Sequence, residues 1–279
     1  VQTMLLDNKI GQGKTAEIFD IGDNRVVKLF YKTIPLQWAE HEWQINRTLC
    51  QEGFPVAKVY DLMEHEGRKG IIYERIVGEP LLQRVVRNPW KVRRIGRMMA
   101  ELHLQIHRKT DCDLPLIKDD LSQRILHTDL LDDDIKGLLL DFLRELPSES
   151  VLCHGDFHPD NIILSKDKVF IIDWMTATKG SSCADVARTA LLLNLAELPA
   201  DIPAILKVLM KFMRSQIRHA YMKRYIQLTD CSITDIQQWE APVAAARLVE
   251  RLSISERQAI IRLIERKRSY MEKITASKS

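Results

Sequence analysis

CHGDFHPDNIILSKDKVFIIDW, residues 153–174, is the stretch whose side chains constrain the fold most. His154 and Asp156 stand two apart, Asn161 follows Asp156 by five positions, and Asp173 closes an apolar run. NIILS and KVFIID are short β-rich runs on either side of a turn. A carboxylate and a carboxamide therefore sit on one loop, and a hairpin brings back a second carboxylate.

That spacing is the one by which kinases divide labour. One Asp accepts the proton of a substrate hydroxyl, an Asn holds one Mg²⁺, and a second Asp holds both metals. A tight loop aims Asp156 at the nucleophile while Asn161 points back toward the metal. Mg²⁺ favours one or two carboxylates completed by phosphate oxygens and water, which Asn161 and Asp173 would leave room for. Two other readings fit the local pattern. His154, Asp156, His158 and Asp160 could ligate a transition metal, or the stretch could be a structural turn rich in Asp, Asn and Pro. The first leaves Asn161, Asp173 and the first part of the chain without a role, and the agreement of the rest of the chain with the kinase pattern weighs against the second.

GQGKT at 11–15 raises a competing expectation, since G-x-x-x-x-G-K-[ST] is a phosphate loop that opens a helix. Five positions before Gly13 stands Asn8, not glycine. AEIFDIG and NRVVKLFY follow, alternating apolar and polar about a Gly22–Asp23–Asn24 turn, which is a hairpin pattern. The glycines belong to a strand–loop–strand.

Residues 1–76 are mostly strand-like: MLLDNKI, TAEIFDI, RVVKLFY, KVYDLMEH and KGIIYERI. One helix interrupts them, with Pro35 at its start, LQWAEHEWQINRTLC carrying the helical period and Gly53 as the stop. Beyond 81, helical periods dominate at 89–107, 132–146 and 202–225. The expected division is a nucleotide-binding lobe over 1–76, a hinge linker VGEP at 77–80, and a helical catalytic and substrate-binding lobe over 81–279.

The chain has 279 residues, a net charge of +3, 46% hydrophobic and 28% charged residues, the balance of a soluble globular protein. No basic run interleaved with aromatics points to nucleic acid. Cys50, Cys112, Cys153, Cys183 and Cys231 are scattered, odd in number and never in a CxxC pair, so they read as reduced thiols of a cytoplasmic protein. VQTMLLDNK lacks the apolar character of a signal peptide, and ALLLNLA at 190–196 is too short to cross a bilayer. No membrane partner is expected.

HGDFHPDNII…IIDW resembles the signature of the aminoglycoside phosphotransferases and their choline kinase-like small-molecule relatives. The resemblance runs from about residue 4 to 195. It implies an α+β, bilobal protein-kinase-like fold, with a small antiparallel N-lobe sheet carrying one helix and a larger helical C-lobe. It implies ATP and Mg²⁺ as cofactors and a small-molecule hydroxyl as acceptor. Asp156 is then the catalytic base, and Asn161 and Asp173 the metal ligands. Gly11 and Gly13 match the nucleotide loop, whose third glycine is replaced by Ala16. Lys28 matches the lysine that reaches the α/β-phosphates; Glu40 and Glu42 both qualify as its helix partner, and Glu42 fits the relatives' spacing. Tyr73-Glu74-Arg75-Ile76 resembles the adenine-binding hinge, placing Glu74 and Ile76 at the nucleotide through their backbones. Asp185 matches an aspartate that braces the catalytic loop, or is a favourable charge at a helix N-terminus. His154 fits a structural bracket for the loop, and the role of His158 stays open. Trp174 stands where protein kinases have Phe-Gly, which speaks against their activation-loop switch.

The acceptor is less legible. From Val186 to Ser279 there are sixteen Lys/Arg against nine Asp/Glu, a surplus of seven positive charges that leans away from a polycationic acceptor. Tyr221, Tyr225 and Trp239 are either core or a cage for a quaternary ammonium. A nucleotide-binding regulator without catalysis and an atypical protein kinase remain as competitors. Lys28, Asp156, Asn161 and Asp173 are all present against the first, and no A-P-E motif follows Asp173 against the second.

Overall fold

Alternating side chains along 16–30 fold as the expected hairpin, closed by Gly22, Asp23 and Asn24, whose φ angles of 78°, 48° and 57° suit glycine and asparagine. The computed structural model describes residues 6–166, 168–195, 197 and 202–277. Its strands are β1 (Lys9–Gln12), β2 (Ala16–Gly22), β3 (Arg25–Phe30), β4 (Val59–His65), β5 (Arg68–Glu74), β6 (Glu79–Pro80), β7 (Val151–Cys153), β8 (Ile162–Leu164), β9 (Val169–Ile171) and β10 (Thr178–Gly180). Its α-helices are α1 (Leu36–Gln51), α2 (Leu81–Arg87), α3 (Val92–Ile106), α4 (Ile117–His127), α5 (Asp133–Glu145), α6 (Ser182–Leu195), α7 (Ala204–Leu228), α8 (Ile233–Ala246) and α9 (Ile254–Ala276). Residues 4 and 5, at the head of the first expected strand, lie outside the described residues.

Two units divide the chain. The first comprises Val1–Gln83, Thr110–Asp113 and Asp160–Thr176. Its main sheet has five antiparallel strands in the order β1-β2-β3-β5-β4. Ala39, Glu42, Ile45, Asn46 and Leu49 form the buried face of α1, a helical period with two polar members. Pro35 caps its start. At its end Gly53 takes φ 72°, Gly53 N–H donates to Cys50 and Phe54 N–H to Leu49, the paired bonds of a Schellman stop. A smaller sheet, β6-β8-β9, pairs Glu79 with Leu164 and Pro80 with Ile163, so the last two residues of VGEP are strand.

The second unit comprises Arg84–Lys109, Leu114–Pro159 and Ala177–Ser279. A 3₁₀ turn at Pro89–Lys91 precedes α3, where the sequence period begins a helix. α3 and α7 pack so closely that a Cβ on Gly96 would lie 2.4 Å from the Ile217 carbonyl oxygen, so only glycine allows the crossing. β7 pairs with β10 and leads directly into the loop that carries Asp156. Capping boxes at Ser232/Asp235 and Ser253/Glu256 start α8 and α9.

One expectation is overturned here: Cys183 and Cys231 are joined in a disulfide, while Cys50, Cys112 and Cys153 are free thiols. The bridged residues are 48 apart in sequence, so spacing gave no sign of the pairing. No helix among the described residues is long and apolar enough to cross a membrane.

Candidate functional site

In the first unit, Lys28 on β3 meets Glu42 on α1. Its Nζ lies 2.7 Å and 2.9 Å from the two Glu42 carboxylate oxygens, and 3.1 Å from Asp173 Oδ1. The Tyr73 hydroxyl donates to Glu42 Oε1 at 3.0 Å. Glu40, two positions earlier, lies on the exposed side of the helix. Burial raises the Glu42 carboxyl above its ordinary range, and Lys28 opposes it. Burial also disfavours the Lys28 ammonium, but the Glu42 and Asp173 carboxylates outweigh that and raise its pKa.

Asp173 takes φ 66°, a left-handed conformation rare outside glycine and a mark of backbone strain. Its side chain keeps 41% exposure with one oxygen on Lys28. The Asn161 carbonyl accepts Ile172 N–H at 3.0 Å, which ties the Asn161 turn to the hairpin that returns to Asp173. A carboxylate and a carboxamide are the hard oxygen donors that suit Mg²⁺. Trp174 is fully buried, its indole N–H bonded to the Ile171 carbonyl.

Gly13 N–H donates to the Ala16 carbonyl at 2.8 Å, tightening the β1–β2 turn. A Cβ on Gly11 or Gly13 would come no nearer than 3.5 Å to any neighbour, so the fold makes no steric demand for glycine there. Ala16 is 3% exposed and belongs to the apolar core under the sheet, which explains a methyl where a third glycine is expected. Glu74 N–H donates to the Lys58 carbonyl, and Ile76 packs against that same core.

In the second unit, Asp156 sits on a turn held from α6. Asp185 Oδ2 accepts His154 N–H at 2.5 Å and Asp185 Oδ1 accepts Gly155 N–H at 2.9 Å. Arg188 Nε donates to the Gly155 carbonyl, and Thr189 Oγ1 donates to the Phe157 carbonyl. His154 Nδ1 accepts Asp156 N–H at 3.1 Å from a fully buried ring. Gly155 takes φ 75°, which the turn requires. His158 Nε2 lies 3.4 Å from Asp156 Oδ2. Burial pushes the Asp156 carboxyl up, but His158, then Arg188 and His154, outweigh it and hold the group below the carboxylate range. It is a charged acceptor at neutral pH.

Behind the turn lies a buried network that sequence reading missed. His103 and His107 direct Nε2 at Asp185 Oδ2, at 3.0 Å and 3.3 Å, while their Nδ1 atoms meet the Tyr221 and Tyr225 hydroxyls. Their i, i+4 spacing, His103 in the last turn of α3 and His107 at its C-cap, was the one visible sign. Burial, reinforced by His107, lowers His103 to about 3 against the pull of Asp185, so its ring is neutral at pH 7. His103, His107 and Asp185 have the composition of a transition-metal set. With tyrosine O–H donating to each Nδ1 and each Nε2–H donating to Asp185, every ring nitrogen is satisfied without an ion. Tyr221, Tyr225 and Trp239 are core residues, at most 1% exposed, which removes the aromatic cage.

The model of the phosphotransferase enzyme family APH matches residues 9–210. No curated protein matches the chain in sequence. Among solved structures, the amicoumacin kinase hAmiN in complex with AMP-PNP, Ca²⁺ and Ami aligns at TM-score 0.59 and 13% identity, over 93% of this chain and 87% of that one. Aminoglycoside phosphotransferase APH(4)-Ia aligns at TM-score 0.58 and 15% identity, over 97% and 93%. A choline/ethanolamine kinase family protein from Mesorhizobium loti aligns at TM-score 0.57 and 12% identity, over 95% and 86%. These likenesses give the fold as α+β and protein-kinase-like, a five-stranded antiparallel sheet with a helical lobe.

Proposed function

The chain belongs to the phosphotransferase enzyme family, and from that membership we propose that it moves the γ-phosphoryl group of ATP to a hydroxyl of a small molecule. The observation that carries this reading is the three-centre contact of Lys28 with Glu42 and Asp173, together with an ionised Asp156 on a braced turn. We take 1–76 as the nucleotide lobe, 77–80 as the hinge and 81–279 as the catalytic lobe, in a cytoplasmic enzyme. Relatives of the same fold are complexed with AMP-PNP, ADP, hygromycin B and amicoumacin, which supports a nucleotide and a small-molecule acceptor here.

Asp156 accepts the hydrogen bond of the acceptor hydroxyl and takes its proton as oxygen bonds to phosphorus, while ADP departs with the electron pair of the broken P–O bond. Asp185, Arg188 and Thr189 keep the turn from relaxing, so the base arrives oriented. Lys28, aligned by Glu42, faces the α- and β-phosphate oxygens. Gly11 and Gly13 carry no side chains that would obstruct phosphate at the end of β1 and the β1–β2 turn, and the backbone of Glu74 and Ile76 would hold adenine. Asn161 and Asp173 would hold Mg²⁺, which when bound neutralises charge on the phosphates. The 16-to-9 excess of basic residues after Asp185 favours an acceptor other than a strongly cationic aminoglycoside.

ATP consumption with Mg²⁺ across aminoglycosides, amino alcohols, sugars and a metabolite extract tests the reading. Turnover that requires one acceptor supports it. ATP binding with no acceptor-dependent turnover anywhere favours the regulator. Phosphorylation of proteins in the extract instead of small molecules would favour a protein kinase.

A further inference from the structure

The peptide group between Gly155 and Asp156 sets the direction in which the Asp156 side chain leaves the turn. Gly155 precedes it at φ 75°, and beside a glycine a peptide group can flip at little steric cost. Two bonds oppose the flip. The Asp156 N–H end donates to His154 Nδ1 at 3.1 Å, and the Gly155 carbonyl end accepts Arg188 Nε. Asp185 and Thr189 bond other peptide groups of the turn, so the carbonyl end depends on Arg188.

Arg188 has a long, flexible side chain, and Glu250 holds the rest of its guanidinium: Arg188 Nη2 donates to Glu250 Oε1 at 2.8 Å. The other Glu250 oxygen accepts Arg247 Nε at 3.2 Å. One carboxylate thus joins two guanidiniums, one on the Asp156 turn and one buried just past α8. Glu250 is itself fixed by its backbone, its N–H on the Arg247 carbonyl and its carbonyl on Leu252 N–H, each at 2.9 Å. Burial pushes the Glu250 carboxyl up, but Arg188 and Arg247 outweigh it and hold the group below its ordinary range. It is charged at neutral pH. Helix packing brings the pair together: α6 carries Arg188 and packs on α8, whose buried end Ala244–Ala246 runs into the 3₁₀ turn Arg247–Val249 ahead of Glu250.

We propose that Glu250 is a positioning residue for the base. By holding the Arg188 guanidinium on the Gly155 carbonyl, with Arg247 as its second counter-ion, it locks the 155–156 peptide in the orientation that presents Asp156 to the acceptor. This rests on the phosphotransferase reading and adds to it a residue beyond the matched span 9–210. Glu250 acts through Arg188 and not on the substrate.

The test compares the whole 279-residue chain with its Glu250→Gln, Glu250→Asp and Arg188→Gln variants, each with and without Asp156→Asn. Exchange of the Asp156 amide hydrogen is followed by NMR, beside acceptor-dependent turnover and ATP affinity. In Glu250→Gln and Arg188→Gln that amide should exchange about tenfold faster, as for loss of a charge-assisted hydrogen bond, while α3 and α8 amides keep wild-type rates. Turnover should fall on the order of 10–10²-fold, the scale of a misplaced reacting group, at unchanged ATP affinity. Glu250→Asp, which keeps the charge, should restore most of both. With Asp156→Asn present, Glu250→Gln should cost little more, because no base is left to place. Turnover losses that multiply with Asp156→Asn, or an Asp156 amide that exchanges at the wild-type rate in Glu250→Gln, overturn the proposal. Faster exchange across α3 and α8 as well as at the turn assigns Glu250 to general stability and also overturns it. Faster exchange confined to the turn, in a protein that phosphorylates no acceptor, keeps the Glu250 lock on the peptide and sinks the phosphotransferase reading instead.

Discussion

Asp185 accepts the His154 amide N–H at 2.5 Å, so a carboxylate 31 residues downstream fixes the turn that presents Asp156. The same carboxylate takes Gly155 N–H, His103 of α3 and His107 just past its end. Burial opposes its charge, and His103 and His107 outweigh that, holding its pKa well below the ordinary carboxylate range. Four donors converge on this one ionised carboxylate.

Asp185→Asn replaces an oxygen by an NH₂ donor and leaves at least one buried donor facing another. Hydrogen bonds to charged groups contribute about 1.5–3 kcal/mol each, so stability should fall by about that amount or more. Urea denaturation reads the loss. Turnover should fall further than ATP affinity if Asp156 is the base proposed above, because the turn carries Asp156 and none of the residues proposed to contact the nucleotide. Unchanged stability and turnover would remove Asp185 from this role.

The Lys28–Glu42 pair predicts a non-additive cycle. Lys28→Met leaves the Glu42 carboxylate buried without its cation, a loss of about 3–5 kcal/mol. Adding Glu42→Leu should recover most of that stability while nucleotide binding stays lost. If the two losses simply add, the pair is not coupled as the 2.7 Å contact implies.

Buried neutral His103 makes stability depend on pH. Its pKa is lowered to about 3 in the folded chain, while the unfolded chain protonates near 6.5, so the unfolded state binds the extra proton between those values. Stability is full above about 6.5 and falls with decreasing pH by up to about 1.4 kcal/mol per unit through that window. His103→Gln should flatten this slope. A melting temperature with the same acid dependence in wild type and variant would contradict the assignment.

How far the sequence carries depends on where the partners lie. Asp156, Asn161 and Asp173 could be singled out in the sequence because they fall within eighteen residues at kinase-like spacing; the structure ties Asn161 to the Asp173 hairpin in the first unit and puts Asp156 on a turn of the second. By residue type Glu40 and Glu42 both qualified and only likeness to relatives favoured Glu42; the structure puts Glu42 on the face that Ala39, Ile45 and Leu49 bury. Tyr73 sits on a strand already read for its hinge likeness, and the reach of its hydroxyl to Glu42 had no local signal. His103 and His107 find Tyr221 and Tyr225, each pair 118 positions apart, through a helix crossing set by Gly96. The Cys183–Cys231 bridge is hidden for a similar reason: it joins α6 to the connection between α7 and α8 across 48 positions, and periodicity reports the face of a helix and not what it meets.

Asp156→Asn tests the central claim most directly, measured as acceptor-dependent ATP turnover beside nucleotide affinity for the same protein. A positioned base is worth roughly 10²–10⁴-fold, so turnover should fall by about that factor while ATP affinity stays at the wild-type value. Turnover within a few-fold of wild type would show that Asp156 is not the base, and the account of this site would fail.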